Sequence, residues 1–202
     1  MQIGPRYKKA RHLGTPIFRK TQTQKYAMRS QAKKPKQGAR RSNKSEYGRQ
    51  MLEKQKARYS YGVSSGQFSK YVRKALQTTG DNAKNLIGLL EGRLDNVVVR
   101  AGFAPTRSAA RQMVCHGHIL IDGKKVNIPS YSVSIGEKIS IREGSKNKAL
   151  FGKLAEELKN TKAPAWLSVD PDARVIKVEG APVAEQSDLL FDVRSVLEFY
   201  TR

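Results

Sequence analysis

Fourteen Lys and Arg residues, and no Asp or Glu, precede Glu46. Such a stretch repels itself and has little apolar surface to set against the entropy of ordering, so it cannot fold around an ordinary core. It needs a dense polyanion to settle on, and nucleic acid is the one that residues 1–45 point to. The charge thins along the chain. It is +14 over 1–45, +4 over 46–92, +4 over 93–141 and zero over 142–202, within a total of +22. The partner is therefore expected on the N-terminal and middle segments.

A chain of 202 residues, 38% of them hydrophobic, supports one or two modest cores. Its longest apolar runs, such as Val97-Val98-Val99, are far too short to span a bilayer, so no membrane partner is expected. One cysteine, Cys115, excludes an internal disulfide framework and suits a reducing compartment. The acid-free N-terminus also suits a transit peptide, but Lys is abundant there, and Gly4-Pro5, Gly14 and Pro16 interrupt any amphipathic helix.

Past the basic segment the apolar spacing becomes helical. Ser45 is placed to cap a helix opening at Glu46-Tyr47, whose stripe begins with Tyr47, Met51 and Leu52 and stops at Gly62. Ser64 stands three residues before Gln67, a capping-box arrangement, and Phe68, Tyr71, Val72, Ala75 and Leu76 repeat on one helical face. Thr79-Gly80-Asp81 separates this from a helix carrying Leu86, Leu89, Leu90, Leu94, Val97 and Val98, with a break near Gly92. Short helices over Arg93 to Arg100 and Arg107 to Val114, the second capped by Thr106, then precede a type I′ hairpin, Ile119 to Ile121 and Lys124 to Val126 around Asp122-Gly123. Val133, Ile135, Ile139 and Ile141 predict two more strands about Gly136-Glu137. Leu150, Leu154 and Leu158 predict a helix over Lys148 to Asn160, followed by strands at Trp166 to Val169 and Arg174 to Val178 and a last helical turn or two over Ser195 to Tyr200. No repeat of fixed period is present. The class is α+β, with an irregular basic arm, 1–45, ordered mainly by its partner. A mainly helical domain follows, 46–92 plus 150–202, into which a small two-helix-plus-short-strands module, 93–149, is inserted.

The helix from Arg107 carries the sharpest chemistry. Arg107 and Arg111 lie one turn apart on one face, while Ala110, Met113 and Val114 can pack on Leu94, Val97 and Val98. The first face can reach RNA, and the helix-start amides beside Thr106 and Ser108 suit a phosphate oxygen. Spacing alone serves equally for an amphipathic helix with solvated arginines. Cys115, His116 and His118 crowd one turn and cannot readily converge on a metal, so a packed thiol beside an RNA-facing histidine is expected. Tyr59, Tyr61, Phe68 and Tyr71 could stack on bases, but their spacing favours the core. No nucleophile elbow, phosphate loop or catalytic acid pair stands in a recognisable context, and no enzyme is expected.

The run Arg93-Leu94-Asp95-Asn96-Val97-Val98-Val99-Arg100-Ala101-Gly102-Phe103-Ala104-Pro105-Thr106-Arg107-Ser108-Ala109-Ala110-Arg111-Gln112 resembles the alpha-L RNA-binding motif. In particular it is similar to the form found in the S-four family of small-subunit ribosomal proteins. His116 to Tyr131, Gly4-Pro5-Arg6, Glu53-Lys54-Gln55-Lys56, Tyr61-Gly62, Leu89-Leu90-Glu91-Gly92 and Trp166-Leu167 extend the resemblance over essentially the whole chain. It implies a structural protein that binds a helical junction in the 5′ domain of 16S-type ribosomal RNA and nucleates subunit assembly. The implied RNA contacts of the module are Arg93, Thr106, Arg107, Ser108, Arg111, His116 and Asn127. Charge adds Lys124 there, and Arg6, Lys8, Lys9, Arg11, Arg40, Arg41 and Lys44 on the arm. In the helical region it adds Arg49, Lys54, Lys56, Arg58, Lys70 and Arg73. Scattered side chains of these types suit phosphates and 2′-hydroxyls of folded RNA. The resemblance further implies ribosomal protein S-five as a neighbour at a contact tied to decoding accuracy, S-three as a neighbour near the messenger RNA entry region, no cofactor and no self-association. The setting it implies is a bacterial-type ribosome, cytoplasmic or organellar.

The chain departs from the family where many relatives hold zinc or an iron-sulfur cluster, since Tyr26 to Ala39 contains neither Cys nor His and a metal site there is not expected. RNA phosphates would then supply the ordering that metal supplies elsewhere. Two other proteins carry the same small module. Pseudouridine synthases add a large catalytic domain, whereas only 61 residues follow Ile141 here. A stand-alone heat-shock RNA binder would leave the helical flanks and the arm unexplained.

Overall fold

The helices in chain order are α1 (Arg6–Leu13), α2 (Gln24–Ala32), α3 (Glu46–Tyr61), α4 (Ser65–Gln77), α5 (Asn82–Glu91), α6 (Leu94–Arg100), α7 (Arg107–Cys115), α8 (Glu143–Lys146), α9 (Leu154–Lys159) and α10 (Val193–Thr201). The strands are β1 (Ile119–Ile121), β2 (Lys124–Lys125), β3 (Lys138–Ile141), β4 (Leu167–Asp170) and β5 (Val175–Val178). The computed structural model describes residues 3–32, 45–146, 148, 151–152, 154–159, 161–184 and 188–201. The chain is α+β and divides into two units, 1–83 with 185–202, and 84–184.

Three predicted caps set the helix starts. Ser45 Oγ accepts the Gly48 N–H at 3.2 Å, Ser64 Oγ the Gln67 N–H at 3.3 Å and Thr106 Oγ1 the Ala109 N–H at 3.2 Å. In the first unit Phe68, Val72 and Ala75 of α4 are fully buried, as their spacing predicts. Helix α10 is longer than the turn or two expected and packs on α3. There Tyr47 and Phe199 meet at 5.4 Å between ring centroids, and Glu53 Oε2 accepts the Asp192 N–H at 2.9 Å. The N-terminal segment departs from the irregular arm expected. Residues 3–32 hold α1, a 3-10 turn at Arg19–Thr21 and α2, because Ala10, Leu13 and Phe18 supply an apolar footing, with Phe18 against Tyr59 at 6.1 Å.

The second unit is built on a five-stranded antiparallel sheet of order β2-β1-β3-β5-β4. Registers Ile119↔Ile141 and Ile139↔Ile176 line up buried β-branched side chains under α6 and α7 residues Leu94, Val97, Val98, Met113 and Val114. Asp122 (φ 47°) and Gly123 (φ 79°) both adopt the left-handed conformation that the predicted two-residue turn demands. Three local expectations fail. Val133 and Ile135 form no strand. Ile135 is exposed, and the segment holds only an isolated bridge between Arg93 and Ser132. Strand β3 instead pairs with β1 and β5, so residues 167–178 complete the sheet rather than joining the helical region, and the unit runs wider than 93–149. The helix expected over Lys148 to Asn160 is described only as α9, with α8 before it. Trp166, buried next to β4, donates its indole N–H to the Val183 carbonyl at 3.0 Å. Among the described residues no helix is long and apolar enough to cross a membrane.

Candidate nucleic-acid interface

The bend between α5 and α6 gathers acids and arginines into one buried ionic network. Asp95, 1% exposed, takes the Arg93 guanidinium in two bonds, Nε to Oδ1 at 3.0 Å and Nη2 to Oδ2 at 2.8 Å. The same Oδ2 accepts from Arg111 Nη2 at 2.6 Å and Nε at 3.1 Å. Alongside, Glu91 is fully buried and holds Arg100 in a second two-pronged pair, at 2.9 and 2.8 Å, while its Oε2 accepts from Asn96 Nδ2 at 2.6 Å. Asn96 Oδ1 in turn accepts from Arg107 Nε at 2.7 Å. The two predicted arginines of α7 are thus tied to α6, one through Asp95 and the other through Asn96. Planar guanidinium forks match carboxylates in fixed orientation, so the network sets where these side chains sit.

Four arginines against two carboxylates leave a formal surplus of +2 in this network. Arg111 and Arg100 remain 24% and 22% exposed at the side chain. Arg93 differs. It is 3% exposed, so its chemistry is spent on Asp95 and it acts on the module from within. Glu91, Asp95, Asn96 and Arg100 are the members that side-chain type alone does not mark out. The signal available is two acids four residues apart among the leucines and valines of a strongly basic chain.

The rest of the module surrounds α7. Thr106 is spent as its cap, and Ser108 stands exposed beside it. The loop carrying Asn127 is pinned to the start of α6, where the Leu94 N–H donates to the Tyr131 carbonyl at 2.9 Å and the Asp95 N–H to the Pro129 carbonyl at 3.1 Å. Asn127 itself is exposed, as is Lys124 on the edge strand β2. At the far end of α7, Gly117 lets the Lys125 stem pass so close that any Cβ there would strike it. His116 is exposed, with its ring stacked on His118 at 6.1 Å and 11°. Burial, together with Lys148, His116 and Arg142, lowers the pKa of His118, whose Nδ1 lies 2.9 Å from Ser145 Oγ. Cys115 is exposed rather than packed, because the helix turns its apolar face elsewhere, toward Ala110, Met113 and Val114. Among the described residues no group of three or more metal-capable side chains converges.

In the first unit the predicted contacts separate by environment. Arg6, Lys8 and Arg11 on α1, Arg49 on α3, and Lys70 and Arg73 on α4 are exposed. Others are half-buried and engaged within the fold. Lys9 lies over the Tyr59 ring at 4.8 Å, Arg58 over the same ring at 4.6 Å, and Lys56 pairs with Glu53 at 2.6 Å. Lys54 sits 3.9 Å over the Phe199 ring, and burial with Arg58 beside it lowers its pKa. Tyr61 and Phe68 are core, as their spacing predicts. Arg40, Arg41 and Lys44 lie outside the described residues.

Comparison with known proteins bears on both units. The model of the ribosomal protein S4/S9 N-terminal domain matches residues 2–91, and that of the S4 domain matches residues 92–139. The chain is 44% identical over 208 residues to the small ribosomal subunit protein uS4 of Roseiflexus castenholzii, covering 99% of this chain and 98% of that protein. It is 42% identical to the proteins of that name from a second Roseiflexus strain and from Cutibacterium acnes, each match covering 98% of both chains.

Proposed function

The chain belongs to the small ribosomal subunit protein uS4 family and is thus a structural, non-enzymatic constituent of the small ribosomal subunit, and from that premise we propose that it is a primary binder of 16S-type ribosomal RNA. Its target is a helical junction of the 5′ domain, and its binding nucleates assembly of the subunit of a bacterial-type ribosome. The observation that carries this is the exposure of Arg6, Lys8, Arg11, Arg19, Lys20, Lys25 and Arg29 on a segment with no carboxylate at all. The module supplies the shape-reading half through Arg107, Ser108, Arg111, His116, Lys124 and Asn127, while Arg93 and Thr106 hold it in form. RNA tightens residues 3–32 further, and ribosomal proteins S-five and S-three are its neighbours, near the messenger RNA entry region.

The test is equilibrium binding to 5′-domain RNA, to a junction-disrupted version and to bulk transfer RNA over a range of salt. Tight binding that selects the intact junction is expected, with steep salt dependence. Equal, purely salt-driven binding to all three would refute primary binding. Arg107→Ala with Arg111→Ala should weaken the junction complex by about 1–3 kcal/mol. Hydrogen exchange over residues 3–32 should show protection of α1 and α2 in free protein that rises further in the RNA complex.

A further inference from the structure

Helices α1 and α2 leave between them a groove that the ionic network does not use. Tyr7 and Tyr26 stack across it at 5.7 Å between ring centroids and 27° between planes, yet Tyr7 stays 51% exposed. Arg11, Lys25 and Arg29 rim the groove, whose volume is about 370 Å³. Arg11 and Tyr26 also line a second hollow of about 600 Å³, so the two run together along the α1–α2 seam. No carboxylate stands anywhere in this segment, and Arg11 Nε donates to the Tyr7 carbonyl at 3.4 Å, which keeps that guanidinium at the rim.

An exposed aromatic face with three cations around it matches one ligand chemistry closely. A base can stack on a tyrosine ring whatever its identity, and the phosphates that flank it need positive charge. The volume lies within the range of sites for small ligands, about 300–1,000 Å³. An acidic peptide would use the cations but not the rings, so the aromatic pair decides for a nucleotide. We propose that this groove takes an unstacked base of single-stranded RNA on the Tyr7–Tyr26 pair, with its flanking phosphates on Arg11, Lys25 and Arg29. The site rests on the RNA-binding role given above and adds to it a base-stacking contact where the arm would otherwise supply charge alone.

The full-length chain is titrated with a short oligouridylate and with an abasic oligonucleotide of the same length and charge, and the complexes are followed by fluorescence anisotropy. Wild type should prefer the oligouridylate by roughly five- to hundredfold, the range of one stacked base. The double variant Tyr7→Ala, Tyr26→Ala should bind both equally, while Tyr7→Phe, Tyr26→Phe should keep the preference, because stacking needs the ring and not the hydroxyl. Circular dichroism on both variants checks that the fold is kept. Equal binding of the two oligonucleotides by wild type, an undiminished preference in the Ala variant, or displacement of the oligouridylate by a polyglutamate peptide as readily as by RNA would each overturn the site. Junction selectivity, measured on the same proteins, separates the two ideas. If it is absent while the tyrosine-dependent preference persists, ribosomal RNA targeting falls and the groove stands.

Discussion

Asp95 is the residue on which the charge arithmetic and the structure part company. Replacing it by Asn raises the net charge of an already basic protein, and counterion release alone would then strengthen RNA binding. The structure implies the opposite. Arg93 would be left buried without its carboxylate, at a cost of about 3–5 kcal/mol, and Arg111 would lose its tether. Asp95→Asn should therefore lower the denaturant midpoint of the second unit and weaken the junction complex, while binding to transfer RNA holds or rises. Paired denaturation and binding curves check it. His118 gives a second prediction. Its folded pKa lies below the ordinary histidine value, so the unfolded chain takes up the proton more readily. Stability of the second unit should be full above about pH 6.5 and fall as the pH drops from there toward the folded pKa. His118→Asn should flatten that dependence in a series of melts. Neither residue could be judged from composition, which counts Arg93 as surface charge and says nothing of the carboxylate beneath it.

At the scale of elements, the starts of α3, α4 and α7 were legible because each is a local bargain between one side-chain oxygen and a donor three residues on. Thr106→Ala should therefore cost about 1 kcal/mol and Thr106→Ser very little, seen as a shift in the thermal midpoint of the second unit. The turn after α6 is equally specific. Gly102 has φ 84°, and a Cβ there would come within 2.8 Å of Thr161 Cγ2, so Gly102→Ala should destabilise by at least about 1 kcal/mol in the same measurement. The sheet was legible only in part. The hairpin announces itself in Asp122-Gly123, but nothing near Lys138–Ile141 indicates that Val175–Val178 will pair with it, because that choice is made by the buried faces of Ile139 and Ile176 after collapse. Val133 and Ile135 look like a strand by composition. Their backbone is diverted to the α5–α6 bend, where the Val133 N–H donates to the Gly92 carbonyl at 2.8 Å.

Over the whole molecule, charge and specificity are unequally shared. The unit of 1–83 with 185–202 carries 23 Lys and Arg against 7 Asp and Glu, a net of +16, whereas 84–184 carries 16 against 10, a net of +6. Replacing exposed Arg6, Lys8 and Arg49 by Gln should lower the slope of log affinity against log salt by about two to three if each meets a phosphate, with junction selectivity kept. Unchanged slope would move the contact elsewhere. The single tryptophan of the chain, Trp166, lies in the second unit with its indole fixed to the Val183 carbonyl. Nature has thereby installed an indole in one half of the protein and only tyrosines in the other. Indole emission watches the sheet-bearing unit alone, far-ultraviolet dichroism sees both, and the distance between the two melting curves reads directly whether the halves come apart together or one after the other.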